Sequence, residues 1–101
     1  MVLPIIIRGL IYMNIEIEIY KTNGEIEAVS LANEKKGELL KGLQAIVGGY
    51  VEMIRYVAGV PIGEGKILLV NEDGLRDNLP PNPLIPGIVG NAVIMNDADF
   101  D

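Results

Sequence analysis

Isoleucine and glutamate alternate on both sides of an Asn-Gly dipeptide near the start of the chain. Ile15, Ile17 and Ile19 occupy every second position, which predicts a strand with one buried face. Asn23 and Gly24 form the strongest sequence signal for a two-residue hairpin turn. The segment 14–31 is therefore predicted to be a hairpin.

A two-residue turn also predicts the register of this hairpin, because it pairs Ile19 with Ala28 and Glu18 with Val29. The isoleucines would then share one face with Ile26 and Ala28. The opposite face would hold four carboxylates, which form a candidate partner surface: Glu16, Glu18, Glu25 and Glu27. The alternative is an ordinary solvated sheet face, which we favour.

The next segment has the spacing of a helix. Leu39, Leu43 and Val47 belong to one apolar stripe that would face a sheet. Asn33 is a candidate N-cap. Gly48 and Gly49 follow the stripe and are predicted to end the helix and reverse the chain, a structural role that we favour over phosphate binding.

Three further strands are predicted after the helix, at residues 50–57, 66–70 and 88–95, with a proline-rich loop before the last one. The fold class is therefore α+β, with a single sheet of about five strands, mostly antiparallel, and one helix packed on one face. One helix covers only one face, so the other must be solvated or covered by residues 1–12 or by a second subunit.

The chain of 101 residues is predicted to be a single domain, 1–101. Residues 1–12 are apolar and are expected to form a strand or an extended arm, and Met13 is an alternative start of the protein. Residues 96–101 are predicted to be a frayed acidic tail, because they lack the glycine and the distal glutamate of a calcium loop.

The amino-acid composition excludes most kinds of catalytic site. The sequence has no cysteine and no histidine, which excludes thiolate catalysis and the commonest general base. Ser30 is the only serine and Thr22 the only threonine. We therefore lean towards a protein that is not an enzyme, and we expect no cofactor and no metal.

The net charge of −6 disfavours binding to a phosphate backbone, so we expect no direct nucleic-acid contact. The apolar start is too short for a bilayer span, and no membrane contact is expected. We expect a cytoplasmic protein that forms a homodimer, with a further protein partner as an open alternative.

Polar residues after the fourth predicted strand form the candidate ligand site. The turn Asn71, Glu72, Asp73 and Gly74 brings two carboxylates and an amide together, and such groups can hold a cation or a polar ligand. A turn that only satisfies its own backbone is the alternative that we favour. Arg76 and Asn82, in the following loop, are further candidates, and Arg76 is expected to pair with nearby carboxylates.

Four motifs occur in order: Leu-Gln-x-x-Val-Gly-Gly-Tyr-x-Glu at residues 43–52, Asn-Glu-Asp-Gly at 71–74, Leu-Pro-x-Asn at 79–82, and a Gly-Asn strand at 88–94. Over residues 25–95 the chain resembles an uncharacterised domain-of-unknown-function family of phages, plasmids and bacteria. The resemblance implies an accessory protein of a mobile element and no activity.

Three functions are compatible with these observations. The first, which we favour, is a non-enzymatic binding or accessory module. The second is an acidic mimic of nucleic acid that occupies a nucleic-acid-binding protein. The third is a small-ligand or metal-binding protein, or an enzyme, that needs a pocket converging on Glu72 and Asp73 with Tyr50 or Arg76.

Overall fold

The computed structural model describes residues 5–7, 10–12 and 14–100 of the chain. In chain order the described elements are β1 (Ile5–Ile7), β2 (Leu10–Tyr12), β3 (Asn14–Tyr20), β4 (Ile26–Ala32), α1 (Glu38–Val47), β5 (Val51–Ile54), β6 (Lys66–Asn71), β7 (Ala92–Asn96) and a 3₁₀ helix (Asp97–Asp99). Five strands form one antiparallel sheet in the order β4-β3-β7-β6-β5, and α1 contacts it. The predicted α+β fold is confirmed.

The first two strands pair only with each other in the described part of the chain. Within residues 1–12 the described strands are Ile5–Ile7 and Leu10–Tyr12, and the expected packing of this segment as an arm stays a prediction. Residues 1–4, 8, 9, 13 and 101 lie outside the described residues, and so does the expectation about Met13 as a start.

The hairpin β3–β4 forms as predicted, but its predicted register is wrong by one residue. Ile19 pairs with Glu27, and Glu18 pairs with Ala28. The Lys21 amide donates to the Glu25 carbonyl at 2.9 Å, which leaves a three-residue loop in which Gly24 has a φ of 89°. A three-residue loop with glycine in the left-handed region is the next commonest hairpin connection, and its extra residue shifts every pair.

The helix starts later than predicted, at Glu38 instead of next to Asn33. Gly37 precedes it with a φ of 80°, and no side chain caps the first turn. A helix cannot continue through a left-handed residue, so the chain between β4 and Gly37 forms turns. The predicted end is confirmed, because Gly48 has a φ of 83° and its amide donates to the Gln44 carbonyl at 2.8 Å.

The larger half of the core lies between α1 and the sheet. Leu43 on the helix and Ile67 on β6 are completely buried there, together with the isoleucines of β3. These isoleucines lie on the helix side because strand residues alternate between faces. Phe100, after the 3₁₀ helix, packs against this cluster, so the prediction of a frayed tail from residue 96 is wrong for residues 97–100.

The opposite face of β6 and β7 is buried by loops of the same chain. Leu68 and Ile94 of these strands form a second core cluster with Ile62 and Ile85. Ile62 belongs to the loop between β5 and β6, and Ile85 to the 20-residue connection 72–91. The central strands therefore need no second subunit to cover them. No described helix is long and apolar enough to cross a membrane.

Strands β5 and β7 are shorter than predicted. β5 ends at Ile54, and β7 begins only at Ala92, because Gly90 has a φ of 79°, which an extended strand does not allow. β5 is the last strand on its side of the sheet. Its outer edge and the end of β6 frame the site described next.

Candidate binding site beside strand β5

Asn71, the first of the predicted ligand residues, uses its side chain inside the fold. The side chain is buried; its Nδ2 donates to the Val47 carbonyl at 3.1 Å, and its Oδ1 accepts from the Asp73 amide at 2.8 Å. One residue thus closes the last turn of α1 and shapes the turn after β6. A helix leaves its final carbonyls without partners within the helix. Asn71 supplies a hydrogen-bond donor to one of these carbonyls, that of Val47.

This bond also explains the second glycine after the helix. A Cβ atom on Gly49 would lie 2.9 Å from Asn71 Nδ2, and Gly49 has no left-handed φ that would itself require glycine. The two glycines are therefore required for two different reasons. Gly48 provides the left-handed cap, and Gly49 leaves room for Asn71.

The rest of the predicted turn divides into an ion pair and a free carboxylate. Arg76 lies 3.1 Å from the Asp73 carboxylate and 3.4 Å from that of Asp77, as expected from the sequence. Gly74 is buried, and a Cβ there would lie 2.8 Å from Val89 Cγ2. Glu72 alone projects to solvent, so the turn does not converge on one ligand. No cluster of metal-ligating side chains occurs in the part of the chain that the structure describes.

Asn82 is likewise a structural residue. Its Nδ2 donates to the carbonyls of Tyr20 at 2.8 Å and of Gly90 at 3.0 Å, and its Oδ1 accepts from the Leu84 amide at 3.0 Å. With 4% of its surface exposed, it fastens the connection 72–91 to the end of β3. This arrangement leaves none of its polar atoms directed at a ligand.

The predicted acidic face does not form. Glu16 and Glu18 lie on the outer face of β3, where Ser30 Oγ donates to Glu16 Oε1 at 2.7 Å. The observed register places Glu27 on the other face, beside Lys21 at 3.0 Å, and Glu25 lies before β4 begins. The four carboxylates are therefore split between two faces and a loop.

A hollow of about 210 Å³ opens beside β5, on the face covered by the connection 72–91. We call it the β5 hollow. Its apolar lining is interrupted by the two carboxylates Glu52 and Glu72. Its lining residues are Glu52, Ile54, Val70, Asn71, Glu72, Leu75, Gly87, Ile88 and Val89.

Strand pairing places the two carboxylates on the same face. The Glu72 amide donates to the Tyr50 carbonyl at 2.8 Å, which makes these two residues directly opposite, and Glu52 is opposite Val70. Residues 50 and 52 share a face because strand side chains alternate. In the described part of the chain neither Glu52 nor Glu72 takes part in an ion pair.

The nearby cations are already engaged. Arg76 binds Asp73 and Asp77, as above. Arg55, directly after β5, binds Asp97 of the 3₁₀ helix, and the hydrogen bond and charge of that carboxylate raise the pKa of the guanidinium. The β5 hollow therefore has net negative charge over an apolar floor.

Large exposed apolar side chains gather around the same strand. In the described part of the chain, six such side chains are strongly exposed, and four of them belong to this region: Tyr50 at 69%, Met53 at 42%, Tyr56 at 79% and Leu75 at 78%. Single exposed apolar residues are normal, but a group of them marks an interaction surface. We call these four residues, with Glu52 and Glu72, the β5 surface. Met53 lies on the other face of β5 from Tyr50 and Glu52, so this surface extends around the edge of the sheet.

The sequence did not reveal this site, although parts of it were visible. Tyr50 and Glu72 were considered as candidates, whereas Glu52, Met53, Tyr56 and Leu75 were not. The signal that could have found Met53 and Tyr56 is the excess of large apolar residues in the predicted strand 50–57, where glutamate and arginine interrupt them. The hollow itself depends on the 20-residue connection folding back over β6, which no local pattern indicates.

Other hollows in the described part of the chain are less informative. One of about 560 Å³ lies at the start of α1, lined by Lys36, Leu39, Leu40 and Phe100 among others. A smaller one of about 140 Å³ lies on the outer face of β3, beside Glu16, Glu18 and Lys66.

Comparison with known families places the chain. The model of a family described as "Domain of unknown function (DUF3846)" matches residues 15–101. The chain belongs to the DUF3846 family. The expected resemblance to a family of unknown function is confirmed to that extent. The curated proteins and the solved structures contain no match to the chain.

Within this DUF3846 domain, the motifs that carried the resemblance meet one another in space. Gly49 lies against Asn71, Gly74 against Val89, and Gly90 against Leu79, where a Cβ would approach Cδ1 to 2.8 Å. These contacts explain the motif glycines by close packing. Three other motif residues, Tyr50, Glu52 and Glu72, belong to the β5 surface.

Proposed function

We propose that this protein is a non-enzymatic binding module that docks on a partner protein through the β5 surface. The observation that carries the proposal is the grouping of Tyr50, Met53, Tyr56 and Leu75 around an edge strand. Aromatic residues and methionine are enriched at the cores of protein interfaces. An edge strand offers unpaired backbone groups beside them.

The size of the β5 hollow supports a protein partner over a small ligand. Pockets for small molecules and cofactors usually enclose about 300–1,000 Å³, whereas this hollow encloses about 210 Å³. That volume suits the side chain of a docked protein. The small-ligand alternative also loses Asn71 and Asn82, whose polar atoms are used within the fold.

The acidic-mimic alternative receives less support. A row of phosphate-like charges requires the carboxylates on one continuous surface, and Glu16 and Glu18 do not share a face with Glu27. A role as an accessory protein of a mobile element, in the cytoplasm, remains part of the proposal. The predicted homodimer remains a prediction, which gel filtration with light scattering tests.

The proposal is tested by co-purification from the native host with matched surface variants. Leu75→Ser changes the β5 surface, and Ile26→Ser, at a side chain that is 52% exposed on the far strand β4, is the control. We expect one partner protein to co-purify with the wild type and with Ile26→Ser, and not with Leu75→Ser. The same partner, once purified, should bind the wild-type protein again. Equal retention by both variants, or no purified complex, contradicts the proposal.

A further inference from the structure

The backbone of β5 has hydrogen-bonding groups that face away from the sheet. Tyr50 and Glu72 form a hydrogen-bonded pair, and such pairs alternate along an antiparallel ladder. Glu52 and Ile54 therefore direct their backbone groups towards β6. The amides and carbonyls of Val51 and Met53 point to the outer edge, which no strand in the described part of the chain covers. A further strand would pair with them there.

The side chains beside this edge specify what such a strand would carry. Glu52 and Ile54 lie on the face of the β5 hollow, so side chains of an added strand next to them would reach the hollow. Its floor is apolar, and its two carboxylates take part in no ion pair within the described part of the chain. Lysine and arginine match both features, because their stems cover apolar surface while their charges remain accessible.

A second copy of this chain fits the edge less well. Antiparallel pairing of two β5 strands over their whole length would place Val51 opposite Met53 of the other copy, and so Glu52 opposite Glu52. Like charges directly opposite each other destabilise a sheet. The charge of the edge therefore favours a basic strand over self-pairing.

We propose that β5 accepts an extended basic segment of a partner protein as a sixth strand of the sheet, with alternate lysine or arginine side chains in the β5 hollow. This inference rests on the proposed function and adds the chemistry of the partner. Main-chain hydrogen bonds to Val51 and Met53 supply affinity, and the pockets for alternate side chains supply specificity. Leu75 also lines the β5 hollow, where it would contact these side chains.

The test uses a short capped peptide that alternates lysine and valine, and two controls in which glutamine or glutamate replaces lysine. Hydrogen exchange of the full-length protein is followed by NMR. We expect the lysine peptide to slow exchange of the Val51 and Met53 amides, which have no partner strand in the described part of the chain. The Glu52 and Ile54 amides, already paired with β6, should change little. The glutamine peptide should bind more weakly and the glutamate peptide not at all.

Matched variants separate the backbone from the charges. Met53→Pro removes an outward amide and is expected to weaken binding about tenfold, whereas Met53→Ala retains the amide and should bind more tightly than the proline variant. Glu52→Gln and Glu72→Gln are exposed changes that leave the fold intact, and each should weaken binding about two- to fivefold. Thermal unfolding confirms that each variant is folded.

Three results would overturn this inference. They are equal binding of the lysine and glutamate peptides, protection at β4 instead of Val51 and Met53, and slowed exchange at these amides that grows with protein concentration in the absence of peptide. The last result would assign the edge to a second copy. If the peptides fail while a Leu75-dependent partner co-purifies, the strand inference falls and the proposed function stands.

Discussion

The contact between Gly49 and Asn71 gives the most specific stability prediction. Asn71→Ala removes two hydrogen bonds and leaves the Val47 carbonyl and the Asp73 amide without these partners. A hydrogen bond contributes about 1 kcal/mol, and a buried group left without a partner costs about 1–3 kcal/mol. We therefore expect a loss of about 2–4 kcal/mol, a large part of the roughly 5–15 kcal/mol that stabilises a typical domain.

Gly49→Ala acts through the same bond. Its Cβ would lie 2.9 Å from Asn71 Nδ2, so the amide must move away from the Val47 carbonyl. The expected cost is about 1–2 kcal/mol, the value of that hydrogen bond and its strain. In the Asn71→Ala background the side-chain amide that a Cβ at position 49 would approach is absent. The double variant should therefore be more stable than the sum of the single effects predicts, by about 0.5–2 kcal/mol.

Gly48→Ala provides the matched control. Gly48 has a φ of 83° and only an ordinary 3.9 Å approach to Asn71, so its cost of about 1–2 kcal/mol comes from the left-handed backbone. That cost should be the same with and without Asn71. The assay is urea unfolding of all single and double variants. Additive effects for Gly49→Ala and Asn71→Ala would refute the explanation of the second glycine.

Further predictions concern the loop anchor, the core and one tyrosine. Asn82→Ala, which removes three hydrogen bonds, should cost about 3–4 kcal/mol in urea unfolding, and a loss below 1 kcal/mol would contradict its anchoring role. Leu43→Ala, at a fully buried site, should cost about 3–5 kcal/mol, against little change for the exposed Leu40→Ala. Burial, and secondarily the charge of Glu18, raise the pKa of the Tyr20 phenol above its ordinary value of about 10. The unfolded chain therefore loses this proton first, and stability should fall as the pH rises above about 10. Tyr20→Phe should lessen that alkaline decline, and an unchanged pH profile would contradict the assignment.

Local patterns predicted the elements but not how long the loops between them are. The alternation around Ile17 identified β3 and β4 correctly. The Asn-Gly dipeptide does not distinguish a two-residue turn from a three-residue loop ending in glycine, and this one residue moved Glu27 to the other face. The end of α1 was predictable from Gly48. Its start was not, because Gly37 adopts a left-handed conformation that apolar periodicity does not report.

The candidate site was harder to predict because its parts are distant in sequence. Asn71 and Asn82 were considered as ligand residues, since polar side chains often mark sites at strand ends. Their actual partners are the carbonyls of Val47, Tyr20 and Gly90, and no local spacing reveals such contacts. The β5 hollow forms only when the connection 72–91 folds over β6.

The central claim is that the β5 surface is where a partner protein docks. Site-specific photo-cross-linking in the native host tests it most directly, with a photoreactive benzophenone side chain placed at Leu75 in one variant and at Ile26 in another. Both side chains are exposed; Leu75 lines the β5 hollow, and Ile26 lies on β4 at the other edge of the sheet. The account predicts one discrete cross-linked protein from position 75 and none from position 26. The same product from both positions, or a product from position 26 alone, would contradict it.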